Sequence, residues 1–470
     1  MPSLSKNFGR NPSGVQMKKD LIAEQQKLGK KSQKGRDEWD KRKKTVYGSD
    51  NTVAAISLGN NDFATCWRQA NAMTSKLLAE VYRLHHIPLP PITLETLLQR
   101  GPLRPPAVRI IDWQQNERKY EEWKVENAPA ILQSAQRLHR EVPIRLARRI
   151  VELENLPLEL LAMPNVGKIR SHMLTSFEKM IQSDEIRTLE DEATFMEMHR
   201  RIRRDHRTVH ADLAAAVQAM EKDPCPSDIL DEFYDSRIGI RMLLDQHVAS
   251  TKPVLGYSGL VADSCGPLKI AEDLIDRVTP LWRSQLASVH PNNRGEPNKH
   301  LILPEIKLLG DKHATYRYIP QHIEIILLEV VKNAVMNSMN AWTKSSNLQK
   351  LSTPPPVEIQ FAGGKHAICI KVSDTGGGMT REEANALLSY NRPKATHIAL
   401  KSRDHIHQYD PVAADLEHRA SGLAFFESFG LRVASRYARY FGGALTFMPM
   451  EKWGVDAYIY LNCLHQASKV

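Results

Sequence analysis

The chain has 470 residues, 42% hydrophobic and 25% charged, with only 24 glycines and 27 prolines. That composition excludes collagen-like, mucin-like and wholly disordered chains, and the length allows two or three modules with a core each. The formal charge is +10, but residues 1–50 hold 13 Lys/Arg against 6 Asp/Glu, so the folded remainder is nearly balanced and no nucleic-acid-binding face is expected.

Residues 1–19 carry Lys6, Arg10, Lys18 and Lys19, three serines and no acid. This is the composition of an organelle transit peptide and equally of a disordered basic tail. Five cysteines (Cys66, Cys225, Cys265, Cys369 and Cys463) stand 40 or more residues apart. Neither a disulfide framework nor a zinc site is expected from that spacing, which fits a reducing compartment. No run of 18 apolar residues exists, so no membrane span is expected.

From about 53 to 250 the pattern is helical with proline-rich joints. Apolar residues recur at helical spacing over 62–86, and Ile87-Pro88-Leu89-Pro90-Pro91 stops that helix. A second helix is expected to open at Pro143 and run to Leu153, followed by helices over 168–183, 186–222 and 226–250. Long helices on short connectors predict a bundle resembling a four-helix bundle. Beyond about 255 the texture changes. Strands are expected over 357–361, 368–372, 444–448 and 456–461, with Gly363-Gly364 turning the first pair, and helices over 266–288, 320–342 and 428–441. That predicts an α/β layer of helices on a sheet. Residues 391–427 have no clear period and hold four histidines, as a long functional loop would.

Three local patterns in this half carry chemistry. In the helix from Gln321 to Ala334, Glu329 and Asn333 sit four apart and share one face of an otherwise apolar segment. An acid and an amide embedded there need partners; an exposed edge of a core helix is the plainer account. The strand Ile370-Lys371-Val372-Ser373 then runs out into Asp374-Thr375-Gly376-Gly377-Gly378. Glycines allow a backbone to approach a ligand closely, and an aspartate at a strand end either accepts from an amino group such as that of adenine or caps a turn. Finally, Ser428-Phe429-Gly430-Leu431 starts a helix whose free amides, at Gly430 and Leu431, can take a phosphate or simply begin a helix.

In this order, the three patterns resemble the nucleotide-binding domain shared by histidine kinases, gyrase and ATP-driven heat-shock chaperones, the GHKL superfamily. The first half narrows the resemblance. Pro143–Leu146, Glu152-Leu153-Glu154-Asn155-Leu156-Pro157 and Phe233-Tyr234-Asp235-Ser236-Arg237 to Leu243 with Gln246-His247 resemble the mitochondrial 2-oxo-acid dehydrogenase kinases. So do Tyr437-Ala438-Arg439-Tyr440-Phe441-Gly442-Gly443 and Gly454-Val455-Asp456-Ala457.

The resemblance implies an N-terminal helical domain over 51–255, after a transit or disordered segment over 1–50. It implies a GHKL α/β-sandwich ATP-binding domain over 256–465, with a lid at ~379–430. It implies a protein-serine kinase that moves the ATP γ-phosphoryl to the decarboxylase subunit of pyruvate dehydrogenase and inactivates that complex. A branched-chain 2-oxo-acid dehydrogenase kinase and a catalytically weak regulator are the alternatives. By resemblance Glu329 is the base, Asn333 holds Mg²⁺, Asp374 meets adenine, and Gly376, Gly378, Gly430 and Leu431 shape the ATP pocket. Lys332 is either part of that site or a solvated residue. The resemblance further implies the mitochondrial matrix, a homodimer or a heterodimer with a related kinase, and docking on a lipoyl domain.

Four positions depart from the family pattern. Ile325 stands where many pyruvate-type members have a histidine, Met336 where arginine is usual, Ser428 where glycine is usual, and Val455 where threonine is usual. The chain ends soon after its last strand, which predicts a short tail. A histidine-kinase reading would use His206 or His247 as phospho-acceptor, against packed helical histidines. His405 and His407 read as solvated rather than as a metal pair. Arg237 and Arg241, one turn apart, either pair acids between domains or line an effector pocket.

Overall fold

An apolar row of Ile131, Ala135, Leu138, Val142, Leu146, Ile150 and Leu153 is buried along one helix, α1 (Ala128–Glu154), which runs straight through Pro143. The expected start at Pro143 is therefore corrected. A proline inside a helix costs about 3 kcal/mol, and burial of seven apolar side chains outweighs that. The structure is a computed structural model, and it describes residues 76–100, 117–220, 227–252, 254, 256–289, 302–344, 353–364, 366–390 and 429–464. All of these belong to one compact unit, Met73–Val470. The basic head, His405, His407, Ser428 and residues 62–75 of the first expected helix lie outside the described residues.

The helical half begins with a helix over 76–85, then Leu94–Arg100 and Glu117–Glu126. α1 packs on α2 (Pro164–Ile181), α3 (Leu189–Asp205) and α5 (Ser227–Thr251), and α2 packs on α4 (Val209–Gln218). Pro164 opens α2 at its first position, where the missing amide has no partner to lose. The single helix expected over 186–222 is two, α3 and α4, broken at residues 206–208. α3 starts on a reciprocal cap between Thr188 and Asp191. At the break the His206 ring meets Ser176 Oγ at 2.8 Å, a buried pairing that a continuous helix would not need.

The second half is built on a five-stranded sheet in the order β3 (Ile306–Gly310), β5 (Val357–Gly363), β6 (Ala367–Asp374), β8 (Gly454–Asn462), β7 (Ala444–Met450). β3 and β5 are parallel and the other neighbours antiparallel. Both expected hairpins are present. β3 was missed because its burial does not alternate cleanly. A small three-stranded sheet of β1 (Tyr257–Ser258), β2 (Val261–Cys265) and β4 (Tyr316–Tyr318) was also missed, its strands being too short to show a period.

Alternation along β5, β6 and β8 puts Ile359, Ile370 and Ile459 on one buried face. Helices α6 (Pro267–Val289), α7 (Pro320–Lys344) and α9 (Gly430–Tyr440) pack together with this sheet. A short α8 (Arg381–Leu387), capped reciprocally by Thr380 and Glu383, packs on β7. The molecule is thus a helical part followed by an α/β part. Among the described residues no helix is long and apolar enough to cross a membrane.

Candidate functional site

α7 carries a polar row on an otherwise buried helix: Glu329, Asn333 and Asn337, four residues apart and so on one face. Glu329 is 3% exposed and lies in an ion pair with Lys332 Nζ at 2.6 Å. Lys332 is therefore a partner of the buried acid, and the reading of a solvated residue is corrected. Burial pushes the Glu329 carboxyl above the ordinary range, and Lys332 pulls it back toward ionisation. Ile325, one turn before Glu329, is apolar and offers no second partner.

Asn337 joins this helix to the sheet. Its Nδ2 donates to Asp374 Oδ2 at 3.4 Å, and the Gly376 amide donates to Oδ1 at 2.9 Å. Asp374 ends β6 directly opposite Val455 of β8, whose backbone also hydrogen-bonds the carboxylate. Burial pushes Asp374 up to about 6, against the lowering effect of these three donors. Asn337 was missed in the sequence, although its position one turn beyond Asn333 was a usable signal.

The glycine turn is fixed by close approach. A Cβ on Gly376 would lie 2.7 Å from the backbone of Asn337, and one on Gly378 would lie 1.9 Å from the Met450 carbonyl oxygen. Gly378 also has φ +70, a left-handed conformation costly for other residues. Across the hairpin, a Cβ on Gly454 would meet the Asp374 carbonyl at 1.8 Å. The turn is thus clamped between α7 and the β7–β8 hairpin, with Asp374 at its base.

Gly430 and Leu431 form the buried first turn of α9, which packs on α7. His322 of α7 stacks on Phe441 and meets Tyr437 edge-on, with ring centroids 5.6 and 5.0 Å apart. Asn333 is half-buried one turn beyond Glu329. Among the described residues no group of three His, Cys, Asp or Glu forms a metal cage. Asn333 adds a single amide oxygen, which suits a hard ion carried mainly by phosphates.

A second polar cluster lies inside the helical half. A cavity there is lined by Arg149, Arg203, Arg237, Arg241, His199 and His206. Arg149 is stacked over Phe233 at 4.9 Å, and its Nε and Nη2 have no hydrogen-bond partner. Of the two readings for Arg237 and Arg241, the geometry supports the cavity lining. His206 and His247 are 7% and 2% exposed, the latter held between Ser134 Oγ and Glu192 Oε1 at 2.9 and 3.0 Å. Packing thus explains both histidines, and neither is placed to accept a phosphoryl group.

Comparison with known sequences bears on this geometry. The family described as mitochondrial branched-chain alpha-ketoacid dehydrogenase kinase matches residues 117–260. A mitochondrial [pyruvate dehydrogenase (acetyl-transferring)] kinase of Arabidopsis thaliana is 32% identical over 342 residues, covering 71% of this chain and 86% of the relative. The human [pyruvate dehydrogenase (acetyl-transferring)] kinase isozyme 3, mitochondrial, is 28% identical, over 70% of this chain and 78% of its own length. The corresponding Drosophila melanogaster kinase is 28% identical, over 70% and 76%.

Proposed function

The chain belongs to the family of mitochondrial 2-oxo-acid dehydrogenase kinases, and from that premise we propose that it phosphorylates serine on the decarboxylase subunit of pyruvate dehydrogenase, switching that complex off. The observation that carries the reading is the row Glu329–Asn333–Asn337, tied through Asn337 to Asp374 at the sheet end. It gathers a buried carboxylate and two amides on one face of α7 and a second carboxylate at the strand end beside it, which supports the roles of base, Mg²⁺ ligand and adenine acceptor. The fold that fits is a GHKL ATP-binding domain from about residue 256, after a helical domain from about 51.

In this reading Glu329 takes the proton of the attacking serine hydroxyl, and its ion pair with Lys332 draws it toward the ionised form against the effect of burial. Asp374 accepts from the adenine amino group, and the clamped turn through Gly376 and Gly378 shapes the wall beside it. The amides of Gly430 and Leu431 meet the phosphates at the start of α9. Asn333 would hold Mg²⁺, which when bound neutralises charge on the phosphates. Val455, opposite Asp374, offers no hydroxyl to adenine, a loss of about 0.5–1.5 kcal/mol by the usual net value of a hydrogen bond. The cavity gathers four arginines, and Arg149 keeps two buried nitrogens that make no hydrogen bond, so it suits an anionic regulator. The working form is a dimer, with itself or a related kinase, docked on a lipoyl domain in the mitochondrial matrix.

A branched-chain substrate is the second reading, favoured by the family description that matches residues 117–260. The test is transfer of labelled γ-phosphate from MgATP to the purified pyruvate and branched-chain decarboxylase subunits, with lipoyl domain present. Label on the pyruvate subunit alone is expected. Label on the branched-chain subunit alone selects the second reading, and nucleotide binding with no transfer to either leaves a regulator without catalysis.

A further inference from the structure

Helices α5 and α9 are 201 positions apart in the chain and meet at three successive turns. On the first, Arg432 Nε donates to Asp231 Oδ1 at 2.9 Å, and its Nη2 donates to Oδ2 of the same carboxylate. One turn on, Arg436 Nε donates to Asp235 Oδ1 at 2.8 Å, its Nη2 donates to Oδ2, and its Nη1 reaches Asp231 Oδ2 at 3.1 Å. One turn further, α5 has Gly239, where a Cβ would lie 2.5 Å from the Tyr440 hydroxyl. The pairs 231/432, 235/436 and 239/440 rise together, so the two helices run parallel with their i, i+4 rows facing each other.

Bidentate pairs at two levels and a close approach at a third fix translation along the axis and rotation about it. The ladder starts immediately after Gly430 and Leu431. A neighbouring anchor holds the same end: Tyr390 donates to Asp231 Oδ1 at 2.8 Å, lies under the Arg432 guanidinium, and packs edge-on against Phe429 with ring centroids 5.0 Å apart. Asp231, Tyr390 and Phe429 are all buried. Both arginines of one row of α9 are committed to these carboxylates.

We propose that Asp231 and Asp235, on a helix of the bundle, are positioning residues for ATP, setting the first turn of α9 at the distance its amides need from the phosphates. This rests on the assignment of Gly430 and Leu431 to the nucleotide site. Misplacing an anion-binding turn by about an ångström is enough to weaken it strongly. The helical half therefore contributes to nucleotide affinity without touching nucleotide, and the same helix also lines the cationic cavity through Arg237 and Arg241.

The test uses the full chain, with ADP affinity by calorimetry beside steady-state kinetics for ATP and the decarboxylase subunit. Asp231→Asn and Arg432→Gln are each expected to weaken ADP by about fivefold or more and to raise KM for ATP alike, with the double variant no weaker than the singles. KM for the protein substrate stays within about twofold. Gly239→Ala gives an independent arm: it weakens ADP by crowding Tyr440, and Tyr440→Phe in that background restores most of the affinity, because the ring carbon stands 3.6 Å away and the other near atom, the flexible Ile92 Cδ1 at 3.1 Å, needs to give only slightly. If Asp231→Asn does not fold, Arg432→Gln and the Gly239→Ala rescue decide. Unchanged ADP affinity in the folded variants overturns the inference alone, as do singles whose effects multiply. A wild type that binds no ADP overturns the nucleotide reading and the inference with it.

Discussion

The cavity of the helical half gathers basic side chains, whereas the sheet end buries two acids. In the helical half, burial holds His199, His206 and His210 down at about 3 and Arg149 at about 10. At the sheet end, burial pushes Glu329 upward and Asp374 up to about 6. The cause is common, since a low-polarity surrounding disfavours whichever form is charged. The consequences differ. The histidines are neutralised and packed, whereas each carboxylate keeps specific donors that draw it back toward ionisation: Lys332 for Glu329, and Gly376, Asn337 and Val455 for Asp374. Groups held near the balance point by opposing effects are the ones suited to accept a proton or a hydrogen bond.

The largest effect expected from breaking this arrangement is at the turn below Asp374. Gly378→Ala combines a left-handed φ with a Cβ 1.9 Å from the Met450 carbonyl, so the hairpin and the turn must separate. A loss of about 3 kcal/mol in a denaturant melt is expected, with nucleotide affinity lost in parallel. An unchanged melting curve would show that the clamp is not needed.

Acidification separates the halves. A histidine whose folded value lies near 3, below its unfolded value, stabilises the fold above pH ~6.5, and that contribution is lost as pH falls, by about 1.4 kcal/mol per unit for each group. His206→Gln should therefore flatten the loss of stability between pH 7 and 5. Asp374 runs the other way. Its folded value is raised, so its contribution is present below the unfolded pKa and is lost as pH rises through about 6. ADP affinity should rise over the same interval as the carboxylate forms, and the rise should be absent in Asp374→Asn. Equal pH slopes in wild type and both variants would break the comparison.

The smallest expected effect is in the cavity. Arg149→Met removes a buried cation with two unpartnered nitrogens and keeps volume over Phe233, so stability should rise by about 1 kcal/mol. A loss of that size would show that attraction to the nearby Glu152 carboxylate outweighs the cost of burying Arg149.

Much of this was legible in the sequence, for physical reasons. Long apolar rows at period 3.6 located α2, α5, α6 and α7, and alternation located both hairpins of the larger sheet. Pro143 misled, because a local rule about proline lost to a row of apolar contacts extending well to both sides of it. The strands β1 to β4 were too short or too irregular to carry a period. At the candidate site, residue type and spacing singled out Glu329, Asp374 and the glycines, and only the resemblance suggested their roles. Asn337 and the Lys332 pairing were not, since they depend on which face of α7 meets β6. Least legible was the ladder of Asp231 and Asp235 with Arg432 and Arg436, which exists only when helices 201 residues apart are brought into register.

The central claim is that Glu329 acts as the base in a site that binds ATP without it. It is tested most directly by comparing wild type and Glu329→Gln for ADP affinity and for single-turnover transfer of labelled γ-phosphate to the decarboxylase subunit. The account predicts ADP affinity within about twofold and transfer slower by about 10²–10⁴-fold in the variant. Transfer at the wild-type rate by a variant that binds ADP equally well would contradict it.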